Sequence, residues 1–168
     1  MNPRVSIIMG STSDLPVMKG AAEVLDSFEI PFEINALSAH RTPAEVEVFA
    51  KSAHSKGIRV IIAGAGMAAH LAGVIASMTT LPVIGVPIKA SLDGLDALLA
   101  MVQMPPGIPV ATVAIDGARN AGILAAQILA TDDVNLQLRL VEFKEELKEK
   151  IVKANQDLSS VEYKFRVK

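Results

Sequence analysis

The sequence contains no cysteine, which excludes disulfide bonds, thiolate nucleophiles and cysteine-based zinc sites. It also has no excess of positive charge, because 16 Lys and Arg residues stand against 18 Asp and Glu residues, for a formal net charge of −2. We therefore expect neither nucleic acid nor an anionic membrane surface as the main partner. The N-terminus lacks a basic segment followed by an apolar one, so we expect a cytoplasmic protein rather than a secreted one.

Several catalytic motifs are missing as well. The three histidines, His40, His54 and His70, have neither H-x-x-x-H nor H-E-x-x-H spacing, so we expect no metal site. The sequence has no G-x-S-x-G elbow and no G-x-x-x-x-G-K-[ST] phosphate loop. Any chemistry must therefore come from polar side chains that the fold brings together.

One long segment, from Val60 to Ile88, has no Asp, Glu, Lys or Arg. It is longer than the roughly 20 residues that a transmembrane helix needs. Several helix-breaking residues interrupt it, namely Gly64, Gly66, Gly73, Pro82, Gly85 and Pro87. The segment therefore predicts a buried strand, helix and strand rather than a membrane span.

Short runs rich in Val and Ile alternate with segments of helical periodicity. We predict strands over residues 4–9, 32–37, 59–63, 82–86 and 109–113, and helices over about 13–28, 43–55, 67–77, 94–102 and 117–129. This alternation predicts an α/β fold with a parallel five-stranded sheet and helices on both faces. No linker divides the chain, so we expect one catalytic domain, with a core over 1–130, a long C-terminal helix over 131–158 and a tail over 159–168.

The predicted helices carry more apolar surface than a monomer of this size needs, and hydrophobic residues make up 51% of the chain. The segment MAAHLAGVIASM (67–78) has no charged residue on any face, and NAGILAAQIL (120–129) is nearly as apolar. Because an outer helix of a small α/β domain has one exposed side, we predict a homo-oligomer that covers it. An apolar stripe in the C-terminal helix favours packing on its own domain or on a neighbour, and consists of Leu136, Leu140, Phe143, Leu147 and Ile151.

The first candidate site is the turn GSTSD (10–14), between the first predicted strand and helix. Ser11 and Ser13 are good N-cap residues, and Asp14 can cap the helix or accept hydrogen bonds from ligand hydroxyls. A helix N-terminus also attracts phosphate. Capping alone and ligand binding are about equally supported by this turn. A carboxylate beside phosphate donors fits a ribonucleotide, whose sugar hydroxyls lie near its phosphate.

The second candidate is the pair His40 and Arg41, in a loop after the second predicted strand. Ligands of open α/β sheets bind at the carboxyl ends of the strands, where this loop and the first turn both lie. Histidine exchanges a proton near neutral pH, and arginine offers a planar fork to phosphate or carboxylate. A lone loop histidine is usually a surface residue, but its position beside Arg41 at this edge favours a functional role.

The third candidate is AGAGMAAHLAG (63–73), which follows the third predicted strand. Gly64 and Gly66 let the backbone approach a ligand closely. His70 is predicted about one turn into an apolar helix, where a structural role as a hydrogen-bonded buried histidine is at least as well supported as a functional one. His54, at the end of another predicted helix, is interpreted as a surface residue or a partner of the helix dipole.

These segments, taken together and in order, resemble one known family. MGSTSDLPVM (9–18), SAHRTP (38–43), AGAGMAAHLAGV (63–74), LPVIGVP (81–87), GLDALLAMVQMP (94–105) and GIPVATVAI (107–115) closely resemble the class I 5-(carboxyamino)imidazole ribonucleotide mutases. These enzymes are the catalytic subunit of phosphoribosylaminoimidazole carboxylase in purine biosynthesis. The resemblance covers about residues 5–129.

The resemblance implies a flavodoxin-like three-layer α/β/α sandwich, assembled as a homo-octamer whose sites are shared between subunits. It implies a reaction that moves a carboxylate from the exocyclic nitrogen of an aminoimidazole ribonucleotide to ring carbon C4, without metal or organic cofactor. Carried onto matching positions, it makes His40 the general acid and base. It assigns the ribonucleotide and its carboxylate to a pocket formed by Ser11, Ser13, Asp14, Ser38, Arg41, Gly66, Ala68, His70 and Leu71.

The sequence departs from the family pattern at two pocket positions. The family often has glycine where this chain has Met67, and usually has proline where it has Ala72, so substrate fit is the property most affected. Two alternatives remain open: direct carboxylation of the aminoimidazole nucleotide by carbon dioxide, and a non-catalytic nucleotide-binding module of flavodoxin-like fold.

Overall fold

The structure, a computed structural model, describes residues 2–167, which fall into two compact units that divide after residue 129. The strands are β1 (Val5–Met9), β2 (Phe32–Ala36), β3 (Val60–Gly66), β4 (Val83–Ile88) and β5 (Ala111–Thr112). The helices are α1 (Leu15–Ser27), α2 (Pro43–Ser52), α3 (Leu71–Met78), α4 (Leu95–Val102), α5 (Ala118–Ala130) and α6 (Val134–Ser159). That the whole chain is one catalytic domain stays a prediction.

The five strands form one parallel sheet in the order β2-β1-β3-β4-β5. At the start of β1, Val5 pairs with Phe32 on one side and with Val60 on the other. This strand order is that of flavodoxin-like folds, so the predicted fold class is confirmed. The chain leaves β1 toward β2 and then returns to β3 on the other side of β1, which creates the switch point where such sheets bind ligands.

Helices cover both faces of the sheet. On one face, α2, α3 and α4 pack in a buried cluster whose larger members are Ile8, Val46, Phe49, Ile61, Ile75 and Met101. On the other face, α1 lies so close to β3 that a Cβ on Gly64 would be 2.3 Å from the Sδ atom of Met18. A strand that is buried on both faces has a continuous run of apolar residues in its sequence. Both β3 and β4 have such a run.

The uncharged segment between Val60 and Ile88 folds as β3, α3 and β4, as the sequence predicted. Both strands are buried along almost their whole length, which explains the lack of charged residues. Within residues 2–167, no helix combines the length and the apolar character that crossing a membrane requires.

The bounds of four elements, β3, α3, α2 and β5, differ clearly from the predicted ones. The strand β3 extends to Gly66 and α3 begins only at Leu71, because Met67 adopts a left-handed backbone with φ 56° that ends the strand in a turn. The helix α2 ends at Ser52, and a short 3-10 turn follows it at His54–Lys56. At the sheet edge, β5 pairs with β4 over only two residues, Ala111 and Thr112.

The second unit consists of α6 and the segment after it. The Asp133 carboxylate caps the helix by accepting a hydrogen bond of 3.1 Å from the Leu136 N–H group. The predicted long helix is present, and Leu136, the first residue of the predicted stripe, is buried. Later stripe residues are not, since Leu147 is 40% exposed and Ile151 is 72% exposed. Much of the apolar surface of this helix therefore faces solvent in the single chain.

Candidate active site

The loops that follow β1, β2 and β3 converge at the carboxyl edge of the sheet. Because β1 lies between β2 and β3, the turn after β1 is adjacent to both other loops. The first loop begins at Gly10, the second contains His40 and Arg41, and the third spans residues 67–70. The parallel topology thus brings together three segments that are far apart in sequence.

The first loop is closed by a capping box, which its Ser-x-x-Asp sequence favours. The Ser11 N–H group donates to Oδ2 of Asp14 at 3.2 Å, and the Ser13 N–H group donates to Oγ of Ser11 at 3.3 Å. The hydroxyl of Ser13 lies 2.9 Å from that of Ser11. The N–H groups of both serines therefore donate within the turn, while the hydroxyls and the carboxylate lie at the cavity.

The Asp14 carboxyl has an unusual environment. Burial raises the pKa of Asp14 above its ordinary value, against the lowering effects of the Ser11 N–H group, the Ser13 hydroxyl and the Arg41 charge. Burial dominates because removal from water disfavours the charged form of a carboxyl group. A carboxylate with this balance gains stability when a ligand brings further hydrogen-bond donors to it.

The second loop holds Arg41 across the site. Its Nη2 donates to the Gly10 carbonyl oxygen at 2.7 Å, and its Nε lies 3.4 Å from Oγ of Ser38. Thr42 fixes the loop, since its Oγ1 accepts from the Ser38 N–H group at 2.9 Å and donates to the Ser38 carbonyl oxygen at 3.1 Å. Pro43 begins α2 as predicted, but the Thr42 hydroxyl makes no hydrogen bond to α2, because it binds Ser38 instead.

The third loop places His70 against His40. The Nε2 atom of His40 lies 2.9 Å from Nδ1 of His70, and the two rings meet edge to face with centroids 5.1 Å apart. His70 is exposed and directly precedes α3, so its predicted position inside a helix, and the structural role as a buried histidine, are wrong. The cause is the left-handed turn at Met67, which delays the helix.

This hydrogen bond constrains the two imidazole rings. One of the two facing nitrogen atoms must donate a proton and the other must accept it. Two imidazolium rings would place two N–H groups against each other, so both rings cannot carry a proton on the facing atoms in this geometry. The pair can therefore pass one proton along its hydrogen bond, which is the property that a general acid and base needs.

The three loops surround a cavity of 420 Å³. Every predicted site residue except His70 lines this cavity. His70 is connected to the cavity by its hydrogen bond to His40, which is a lining residue. The lining residues are Gly10, Ser11, Ser13, Asp14, Ser38, Ala39, His40, Arg41, Ala65, Gly66, Met67, Ala68, Leu71 and Ala90. Gly10, Ala39, Ala65 and Ala90 also line the cavity but were not predicted as site residues, because glycine and alanine have no polar side-chain group that would indicate a role.

A larger cavity of 910 Å³ lies elsewhere, where the chain enters β4 and β5. His54 lines it and is exposed in its 3-10 turn, as expected for a surface residue. This cavity is at the amino ends of the strands, whereas ligands of flavodoxin-like sheets bind at the carboxyl ends. We therefore assign the functional site to the smaller cavity, where the histidine pair and Arg41 lie.

Comparison with known proteins shows the family of the chain. Residues 4–150 match the family described as AIR carboxylase. The chain belongs to the AIR carboxylase family. It is 57% identical over 163 residues to the N5-carboxyaminoimidazole ribonucleotide mutase of Thermotoga maritima, a match that covers 96% of this chain and 95% of that protein. It is 58% identical over 147 residues to the Pyrococcus abyssi protein of the same name, covering 87% of this chain and 84% of that protein.

A solved structure shows the same fold in a more distant relative. The crystal structure of Treponema denticola PurE superposes with a TM-score of 0.84 at 29% sequence identity, covering 93% of this chain and 98% of that chain. The resemblance to mutases that the sequence motifs indicated is thus confirmed at the level of the family.

Proposed function

We propose that this chain is an N5-carboxyaminoimidazole ribonucleotide mutase of purine biosynthesis. It moves the carboxylate from the exocyclic nitrogen to C4 of the imidazole ring, giving 5-amino-1-(5-phospho-ribosyl)imidazole-4-carboxylate. The observation that carries the proposal is the 2.9 Å contact between His40 and His70 beside a cavity that polar residues of the first two loops and apolar residues of the third loop line. Neither a metal nor an organic cofactor takes part.

The reaction needs one proton to move twice. When the bond between the exocyclic nitrogen and its carboxylate breaks, carbon dioxide leaves and the nitrogen takes a proton. When C4 then bonds to carbon dioxide, C4 loses its proton and the imidazole ring becomes aromatic again. His40 donates the first proton and accepts the second, so it ends the cycle in its starting state. His70 makes a hydrogen bond to His40 and so holds the imidazole ring of His40 in place. His70 also lies near the transferred carboxylate of the substrate.

The polar side of the cavity binds the ribonucleotide. Arg41 and the hydroxyls of Ser11 and Ser13 receive the phosphate, and the Asp14 carboxylate accepts hydrogen bonds from the ribose hydroxyls. The single-phosphate ligand explains why one glycine, Gly10, suffices in this loop. Ser38, Gly66, Ala68 and Leu71 line the space for the imidazole ring and carbon dioxide.

The decisive test replaces His40, with His54 as a matched control. We expect His40→Asn to lower turnover of the carboxyamino nucleotide by about two or more powers of ten, the usual scale for loss of a general acid or base. Binding of the product nucleotide, measured by calorimetry, should persist. His54→Asn changes an exposed histidine that does not line the site, and should have wild-type turnover. Full activity of His40→Asn would contradict the mechanism, whereas a wild-type chain that binds the nucleotide without turning it over would favour a non-catalytic nucleotide-binding module.

Direct carboxylation is the second candidate, because the matching family is described as AIR carboxylase. Such an enzyme would use the aminoimidazole nucleotide and free carbon dioxide. Comparing the initial rate with the carboxyamino nucleotide against the rate with aminoimidazole nucleotide plus bicarbonate separates the two. The mutase proposal requires the first rate to be much the higher.

We also propose that the chain acts in the cytoplasm as a homo-oligomer, an octamer as the family resemblance implies. Exposed apolar side chains on two helices support this assembly. On α4, Leu95 is 52% exposed and Leu99 is 46% exposed, and on α6, Val141 is 59% exposed. Single, scattered apolar residues are normal on a protein surface, but these helices expose more apolar surface than that. A second copy of the chain would cover it. Light scattering at micromolar concentration tests the assembly, and a monomer would contradict it.

A further inference from the structure

A methionine with an unusual backbone conformation lies in the cavity wall. Met67 has φ 56°, in the left-handed region that residues with side chains rarely adopt. It follows directly on Gly66, the last residue of β3. Its side chain lines the cavity together with His40 and is 61% exposed. A strained and loosely packed residue in a cavity wall indicates a functional constraint.

The wall around Met67 consists of small residues. Gly66 and Ala68 flank it and line the same cavity, and a Cβ on Gly66 would lie 3.0 Å from the Ile88 carbonyl oxygen, so this part of the wall has no room to become larger. Among the lining residues within 2–167, Leu71 has the other long apolar side chain, but it is 3% exposed and packs in the core. Met67 is therefore the long apolar side chain on the solvent side of the wall.

We propose that Met67 retains carbon dioxide during the reaction, an inference that rests on the proposed mutase function. Between bond breaking at nitrogen and bond formation at C4, the carbon dioxide has no charge, so no ion pair can hold it. Only the shape and the apolar character of the walls can keep it near C4 and keep water away. Methionine suits this position, since its unbranched side chain can adjust to the substrate as it enters and leaves.

An isotope experiment on the full-length chain tests this role. The chain converts unlabelled carboxyamino nucleotide in buffer with isotopically labelled bicarbonate and carbon dioxide, and mass spectrometry measures the label in the product carboxylate. The variants are Met67→Ala, Met67→Gly and Met67→Leu. Alanine removes the bulk but retains a Cβ and with it the cost of a left-handed backbone, glycine removes both the bulk and the strain, and leucine keeps an apolar side chain of similar size. Reactions without enzyme correct for spontaneous loss of carbon dioxide from the substrate.

We expect several-fold more label in the product of Met67→Ala and of Met67→Gly than in that of the wild type, and a near-wild-type level for Met67→Leu. Circular dichroism should show that all variants are folded. Wild-type labelling in both small variants, or an increase in Met67→Gly alone, would overturn the role of the side chain. A wild-type chain that does not convert the carboxyamino nucleotide would instead overturn the proposed function, and the inference with it.

Discussion

Replacement of Asp14 by Asn separates its contribution to ligand binding from its contribution to stability. In the free chain the carboxylate accepts one hydrogen bond from the Ser11 N–H group at 3.2 Å and lies 3.5 Å from Oγ of Ser13. A carboxylate has about four lone-pair positions, so about two remain for ribose hydroxyls. An asparagine retains one oxygen, enough for the Ser11 N–H group, so the turn should persist while a ribose contact is lost.

The size of the binding effect follows from the type of bond. A hydrogen bond to a charged group contributes about 1.5–3 kcal/mol. Since about 1.4 kcal/mol corresponds to a tenfold change, loss of one such bond should raise the Kd for the product nucleotide by about 10- to 150-fold. Calorimetric titration of Asp14→Asn measures this change. Asp26→Asn is a control, because it neutralises an exposed carboxylate at the far end of α1.

Although Asp14→Asn should weaken ligand binding, it should increase the stability of the free chain at neutral pH. Burial raises the pKa of Asp14 in the folded chain above its ordinary 3.8, so ionisation costs more in the folded state than in the unfolded state. This penalty is absent below 3.8 and reaches its full size once the pH exceeds the folded pKa. Asparagine never ionises, so Asp14→Asn should have a higher Tm than the wild type at neutral pH, and the difference should vanish as the pH falls to 3.8.

The predicted rise in Tm is small, because the carboxyl group is only partly buried. Thermal unfolding at neutral and acidic pH provides the comparison. A variant that binds the nucleotide as the wild type does would refute the assignment of Asp14 to the ribose. A variant that is less stable at neutral pH would show that the capping bonds outweigh the cost of burying the charge.

Further predictions concern positions away from the reacting atoms. Thr42→Val removes both hydrogen bonds to Ser38 and should lower kcat/KM by loosening the loop that carries His40, the proposed general acid and base, with a loss of stability of about 1–3 kcal/mol measured by urea unfolding. Gly122→Ala would place a Cβ 2.9 Å from the Ala21 carbonyl oxygen of α1 and should destabilise the chain by about 1–3 kcal/mol despite the better helix propensity of alanine. Gly107→Ala meets no atom within 4 Å, but φ 95° at this position should cost about 1–2 kcal/mol, so unfolding free energies that match the wild type would contradict the strain argument.

The fold was largely predictable because its signals are local. Each strand is a short run of β-branched residues between turn residues, and each helix has its own period. The predicted boundaries of strands and helices were wrong where the same residues are compatible with more than one type of secondary structure. The segment from Gly66 to Leu71 is small and apolar throughout, so the sequence does not show where β3 ends and α3 begins. The left-handed turn at Met67 decides this, and methionine gives no signal for such a turn.

The site was predictable in its composition but not in its contacts. The rule that ligands bind at the carboxyl ends of parallel strands placed Ser11, His40 and Arg41 at one edge. The bond between His40 and His70 joins loops 30 residues apart, and it forms only because α3 begins late enough to leave His70 outside the helix. Likewise, the hydroxyl of Thr42, directly before α2, binds Ser38 and does not cap the helix, and nothing local in the sequence decides between these two partners.

The internal bonds of the free site explain how it can be both ordered and ready to bind. Arg41 donates to the neutral carbonyl oxygen of Gly10, and Ser13 binds Ser11, so these groups have partners before a ligand arrives. A phosphate that replaces such partners exchanges a hydrogen bond to a neutral acceptor for a stronger one to a charged acceptor. In this exchange the Gly10 carbonyl oxygen gives up its Arg41 partner, so only the difference between the two bonds contributes to affinity. In the proposed mechanism such a site would bind its nucleotide through charge, while the reacting carbon atoms would meet imidazole rings and apolar walls.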